Sequence, residues 1–234
     1  MCISCGNCIS VCPTASLCIR NGSVVWNSVT CTQCDACIAA CSHRSNPKVR
    51  YMTASEVMDE LSDAMPYITG ITASGGECTL YDAFLCDLFT MAGATGKNTM
   101  ADTNGERSFD EMPELLRIMD SASLDVKTTD NREHLELTGK PVETVLKNLE
   151  ILAEAGKLYE VRTVIVPNRL DSHRTVADVA KRMARYPEVV CKLIRFRPYG
   201  VCDDWKKSVV PSEELMQSLV SLAKAGGIKK VEVI

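Results

Sequence analysis

Two copies of one cysteine run open the sequence: Cys2-x2-Cys5-x2-Cys8-x3-Cys12 followed by Pro13, and Cys31-x2-Cys34-x2-Cys37-x3-Cys41 followed by Ser42. Thiols placed this densely leave three chemistries: disulfides, zinc or an iron–sulfur cluster. Disulfides need an oxidising compartment, yet no signal peptide reads at Met1 and no apolar run is long enough to span a membrane. Zinc sites favour two cysteine pairs with a long spacer. A third cysteine two residues further on, and a fourth three beyond it, suit a 4Fe–4S cubane.

The spacing resembles that of the bacterial two-cluster ferredoxins, in which three thiolates of each run bind one cluster and the fourth crosses to the other. The resemblance implies one set made of Cys2, Cys5, Cys8 and Cys41, and a second made of Cys31, Cys34, Cys37 and Cys12. Between the runs lies Leu17-Cys18-Ile19-Arg20-Asn21-Gly22-Ser23-Val24-Val25-Trp26, where Asn21-Gly22 between apolar residues predicts a hairpin with a type I′ turn. The expected order is cluster loop, hairpin, cluster loop, and the first domain is drawn over residues 1–50.

The 234 residues, 46% of them hydrophobic, leave enough chain after this module to bury a full core. One small and one medium domain is the natural division. The net charge is −4, and the basic residues never gather into a run with interleaved aromatics, which speaks against nucleic acid as a ligand. Thirteen cysteines without an export signal imply a reducing, oxygen-poor cytoplasm, because exposed cubanes are lost to oxidation.

From Tyr51 onward the pattern is α/β. Thr53-Ala54-Ser55-Glu56 reads as a capping box, and Val57, Leu61 and Ala64 then recur on one helical face, which predicts a helix over 53–65. Short β-branched segments at 67–74, 98–103, 121–127, 159–166, 189–196 and 228–233 alternate with amphipathic stretches at 82–92, 108–119, 141–155, 172–185 and 212–225. That alternation predicts a parallel sheet with crossover helices over 51–234, and periodicity leaves both a doubly wound sheet and a barrel open.

In either architecture the carboxyl ends of the strands form the ligand face. Four such ends carry Ser74-Gly75-Gly76-Glu77, Asp102-Thr103-Asn104-Gly105, Leu124-Asp125-Val126-Lys127, and Arg162 to Pro167. Each alone reads as a turn or a surface pair, since Gly, Asn and Asp mark turns readily. Four in succession fit a cleft for a zwitterionic, ribose-bearing ligand, with carboxylates for an ammonium and hydroxyls, and cations or amides for a carboxylate.

With these residues the chain resembles the glycyl radical enzyme activases of the radical S-adenosylmethionine (radical SAM) superfamily, the pyruvate formate-lyase activating enzyme group, most closely its YjjW-type branch. The resemblance implies a partial (βα)6 barrel preceded by a ferredoxin-like module, with S-adenosylmethionine held across the strand ends. Gly75, Gly76 and Glu77 would meet the methionine ammonium; Asp102, Thr103, Asn104, Asp125 and Lys127 would surround the carboxylate, the ribose and a monovalent cation, with Arg162 on the same rim. It further implies that two ferredoxin-type clusters pass an electron, from a flavodoxin- or ferredoxin-type reductant, to a third. Cleavage of S-adenosylmethionine there gives the radical that abstracts hydrogen from a glycine of a partner enzyme.

One departure stands out. The family carries Cys-x3-Cys-x2-Cys, and no such triplet occurs here: Ala15 and Arg44 stand where the third cysteine of either run would have to be. The expectation is therefore a chain lacking the first barrel strand and the catalytic cluster loop, with an exposed apolar edge near 67–74 and no cleavage activity. An iron–sulfur electron carrier and a noncatalytic cluster-containing interaction protein are the alternatives. Arg197 stands where relatives often have a histidine near the adenine. Cys18, Cys78, Cys86, Cys191 and Cys202 are expected to be small buried hydrophobes. His43, His134 and His173 show no ligand spacing, and Met52, Met58 and Met65 are expected in the core.

Overall fold

The computed structural model describes residues 2–43, 45–201 and 203–234. Arg44 and Cys202 therefore lie outside the described residues. The chain divides into two compact units, residues 1–53 and 54–234.

The first unit has two short helices, α1 (Asn7–Ser10) and α2 (Ala36–Ala39), and between them an antiparallel pair, β1 (Leu17–Arg20) and β2 (Ser23–Trp26). Asn21 and Gly22 both take positive φ, 48° and 76°, as the type I′ turn requires. Among its described residues, Cys8, Leu17, Val24 and Cys37 form a small buried apolar cluster, with Ile9, Cys12 and Trp26 packed against them. Half of that cluster is thiol. So small a core supplies little folding energy, and units of this size depend on a metal or other staple. Cys18 departs from expectation: it lies on the outward side of β1 and is exposed.

The second unit is built on six parallel strands, β3 (Gly70–Ala73), β4 (Asn98–Thr103), β5 (Ser121–Asp125), β6 (Leu158–Ile165), β7 (Val190–Arg195) and β8 (Lys230–Val233), neighbours in space in the same order as in sequence. A doubly wound sheet would reverse direction from a central strand. The unbroken order is that of a barrel opened along one side, with β3 and β8 as its edges.

Helix α3 (Ala54–Leu61) precedes β3, and helices α4 (Asp82–Ala94), α5 (Pro113–Ile118), α6 (Asn131–Thr138), α7 (Glu143–Glu154), α8 (Ser172–Met183) and α9 (Glu213–Ala225) fill the crossovers. Strand alternation sorts the sheet into two faces. Thr99, Ala101 and Thr103 of β4, Ala122 and Leu124 of β5, and Thr163 and Ile165 of β6 are buried. They share that burial with the inward residues of the helices, among them Leu88 and Phe89 of α4, Leu149 and Leu152 of α7, and Met216 and Leu219 of α9. The alternate residues Met100, Asp102, Asp125, Arg162, Val164, Lys192 and Ile194 are only half-buried. They make a largely polar concave face.

Helix α6 has no counterpart in the apolar pattern, having only Leu135 and Leu137 as large apolar residues. Its ends carry the signal instead: Asp130 accepts from the N–H of Arg132 and of Glu133, and Gly139 closes the helix in the left-handed region. Met58 packs against the core, whereas Met52 precedes α3 and Met65 opens a 3₁₀ turn, so the three share no helix face. Among the described residues no helix is long and apolar enough to cross a membrane.

Candidate functional site

In the first unit the eight cysteines fall into two groups. One hollow is lined by Cys2, Cys5, Cys8 and Cys41, and a second by Cys12, Cys31, Cys34 and Cys37. The backbone repeats along with the sequence. Ser4 and Gln33 take positive φ (55° and 57°), as do Gly6 and Asp35 (83° and 58°), at matching places in the two loops. Held there, Ser4 N–H donates to Cys2 Sγ and Gln33 N–H to Cys31 Sγ, both at 3.4 Å. Ser16 N–H donates to Cys12 Sγ and Ser45 N–H to Cys41 Sγ, both at 3.3 Å. Left-handed backbone at a non-glycine residue costs about 1–3 kcal/mol and persists only where its surroundings impose it.

These residues fit a multi-iron cluster. Among the described residues no three His, Cys, Asp or Glu side chains close on one point as ligands of a single ion; the thiols line hollows instead, and a cubane takes a separate thiolate on each iron. N–H groups aimed at the sulfurs stabilise the thiolate form that such a cluster requires. Hydrogen bonds at Thr14, then Ser16, hold the Cys12 thiol below its ordinary pKa, whereas burial pushes Cys8 up. Lys48 donates to Gln33 Oε1 at 2.8 Å and pairs with Asp35, tying down the second loop.

In the second unit the predicted strand-end residues gather at the carboxyl ends of β3 to β6, and they divide into two groups. Glu77 is 8% exposed and its carboxylate is taken up by its own chain. Oε1 accepts from Thr79 N–H at 3.0 Å and from the hydroxyls of Thr79 and Thr103 at 2.7 Å; Oε2 accepts from Asn104 N–H at 2.7 Å. The Thr103 hydroxyl in turn accepts from Gly105 N–H at 3.0 Å. Glu77 and Thr103 therefore lock the loop after β3 onto the loop after β4. Gly75 has φ 136°, a conformation that L side chains rarely adopt, and a Cβ at either Gly75 or Gly76 would meet only open space.

The second group is a line of alternating charge on the concave face. Arg162 of β6 donates through Nε to Asp125 Oδ1 at 2.8 Å and through its two Nη atoms to both oxygens of Asp102, across β5. Lys127 reaches Asp125 Oδ2 at 3.3 Å, and Ser74 donates to Asp102 Oδ2 at 3.2 Å. Burial pulls the Arg162 pKa down, but its bonds to Asp102 and Asp125 outweigh that and raise it. The guanidinium thus supplies positive charge between two facing carboxylates. A deeper layer repeats the pattern, Glu160 accepting from Ser123 Oγ at 2.8 Å and pairing with Lys192.

Several residues that hold this rim were not legible as site residues. Asn148 of α7 is fully buried; it donates to the carbonyls of Gly105 (2.9 Å) and Arg107 (2.7 Å) and accepts from Phe109 N–H (2.9 Å). Arg107 donates to Thr79 O and Asp82 Oδ1, both at 2.8 Å. Gly105 sits between them at φ 72°, where a Cβ would lie 2.7 Å from Leu124 Cδ1. Gly105→Ala therefore combines left-handed strain with overpacking of a fully buried leucine. It is expected to cost about 2–3 kcal/mol, read as a lower denaturation midpoint with an unchanged m-value.

Arg197 lines a hollow with Val164, Ile194, Phe196, Val201 and Ile234 at the far end of the sheet. His134 is buried with Nδ1 donating to Lys140 O at 2.7 Å, a structural role. Burial pushes the Cys78 and Cys191 thiols up to about 11, so both stay protonated.

Residues 28–180 match the family model of the radical SAM superfamily. The chain belongs to the radical SAM superfamily. Residues 1–50 match the model of a 4Fe-4S dicluster domain. Among curated relatives of this superfamily member, a Haemophilus influenzae protein described as a glycyl-radical enzyme activating enzyme is 28% identical over 85% of this chain and 87% of its own length. The benzylsuccinate synthase activating enzyme of Thauera aromatica is 29% identical over 85% of this chain and 64% of its own. A solved domain of pyruvate-formate lyase-activating enzyme from Bacteroides vulgatus superposes with a TM-score of 0.61 at 24% identity, covering 71% of this chain and 99% of that one, and so shares the fold.

Proposed function

We propose that this radical SAM protein works in the activation of a glycyl radical enzyme. Residues 1–50 would form a ferredoxin-like module holding two 4Fe–4S clusters, and residues 51–234 would hold S-adenosylmethionine across the strand ends. The observation that carries this is the pairing, in one chain, of two four-thiol hollows with a parallel sheet whose strand ends align Gly75, Asp102, Asp125, Lys127 and Arg162. The relatives' names support the partner class, and a flavodoxin- or ferredoxin-type reductant in the cytoplasm would complete the system.

When bound, such clusters supply single-electron transfer. The chain's own residues do the rest. The open backbone at Gly75 and Gly76 lets the cofactor's ammonium approach carbonyl oxygens closely. Asp102 and Asp125, oriented by Arg162, present oxygens toward hydroxyls, and Lys127 offers a carboxylate its charge. Glu77, Thr103 and Asn148 hold these loops still, so that little ordering is left to be done on binding. Val164, Ile194 and Phe196 offer an apolar wall to a planar ring.

No Cys-x3-Cys-x2-Cys lies within the 234 residues. We therefore take a polypeptide of this sequence to bind S-adenosylmethionine and accept electrons without cleaving the cofactor. Anaerobically reconstituted protein should bind S-adenosylmethionine in calorimetry and, after chemical reduction, release no 5′-deoxyadenosine. Absence of binding would remove the cleft from the proposal, and 5′-deoxyadenosine would overturn the inactivity.

A further inference from the structure

The indole of Trp26 holds a buried N–H that has no partner in the protein. An unpaired buried donor costs about 1–3 kcal/mol, so native structures leave few of them. Trp26 ends β2, packs with Cys12 against the small core, and lines the hollow of Cys12, Cys31, Cys34 and Cys37. Sulfur is the acceptor that this hollow supplies in quantity. Leaving such a donor unpaired is hard to explain by packing alone, because phenylalanine would fill the same apolar position without a polar atom.

The other polar groups around the two hollows sharpen the contrast. Around the first, Ser4 N–H and Ser45 N–H donate to thiols. Around the second, Ser16 N–H and Gln33 N–H do the same, and the Thr14 hydroxyl lies 3.8 Å from Cys12 Sγ. Lys48 is committed to Gln33 and Asp35, so its charge is balanced locally. The Trp26 N–H is thus a side-chain donor of the second hollow, whereas the polar side chains that line the first are Asn7, His43 and Ser45.

We infer that the Trp26 indole N–H donates to a sulfur of the cluster held by Cys12, Cys31, Cys34 and Cys37, and so sets that cluster's reduction potential apart from its twin's. A donor at sulfur stabilises the more negative, reduced state and raises the potential. The inference rests on the two-cluster proposal above and adds a tuning residue to it. Trp26 is not a ligand; it acts through the cluster's electronics.

The test is a redox titration of the reconstituted full chain followed by electron paramagnetic resonance, on wild type and Trp26→Phe. In Trp26→Phe one component should titrate lower by about a tenfold change in its oxidised-to-reduced ratio, about 59 mV for one electron, with the other unmoved. The moving component should be the one missing in Cys34→Ala. Iron content in Trp26→Phe equal to wild type shows that the module is intact. Should that variant fail to assemble, wild type labelled at the tryptophan indole nitrogens decides the matter: a Trp26→Phe-independent pulsed measurement should show coupling of an indole nitrogen to the reduced cluster. An unmoved potential in an intact variant, movement of the component that survives Cys34→Ala, or no nitrogen coupling each overturns the inference. Failure of wild type to take up iron at all would instead defeat the two-cluster proposal.

Discussion

Alanine at Cys2 and alanine at Cys41 should remove the same cluster, although the two residues lie at opposite ends of the module. Both line one hollow together with Cys5 and Cys8, and neither lines the hollow of Cys12, Cys31, Cys34 and Cys37. Each single variant is expected to fall from about eight irons per chain to about four. The Cys2→Ala/Cys41→Ala double variant should lose no more than either single one, whereas Cys2→Ala/Cys12→Ala should lose both cubane signals. Cys8 and Cys37, one thiol from each set, are half of the buried core of this unit, so the double variant that loses both clusters should also lose the fold of the unit. Iron analysis with electron paramagnetic resonance decides it. A Cys2→Ala/Cys12→Ala chain that keeps one full cluster would mean that each run binds its own cluster without crossing over.

Glu77→Ala is the second large effect expected. Removing the carboxylate strips acceptors from Thr79 N–H, the Thr79 and Thr103 hydroxyls and Asn104 N–H in a site that is nearly closed to water. Stranding buried donors costs about 1–3 kcal/mol each, so losing the acceptor they share should total about 3–5 kcal/mol. At roughly 2–4 °C per kcal/mol for a unit of this size, thermal unfolding of Glu77→Ala should fall by about 10 °C. Glu77→Gln keeps the shape and should lose less. If Glu77 instead only touched ligand, Glu77→Ala would unfold at the wild-type temperature while binding S-adenosylmethionine more weakly.

These effects show where sequence was informative. All six parallel strands overlap the short segments expected to form them, although Ser121–Asp125 carries no β-branched residue. The charged line Asp102, Asp125, Lys127 and Arg162 was visible as polar residues at strand ends. Glu77 was visible too, but not its direction: a glutamate after two glycines reads as a ligand contact, and only the fold shows it turned inward to Thr79, Thr103 and Asn104. Asn148 was illegible, since an asparagine inside a helix looks solvent-facing and its partners are loop carbonyls some forty residues earlier in sequence. Helix α6 escaped for lack of an apolar stripe, although Asp130 and Gly139 marked its ends.

Iron and acid-labile sulfide per chain, measured on anaerobically reconstituted protein alongside Mössbauer quantitation of cluster type, tests most directly whether this radical SAM chain carries two clusters and no third. The expected result is about eight irons in two cubanes. About twelve irons, with a third cubane whose spectrum changes on addition of S-adenosylmethionine, would contradict it.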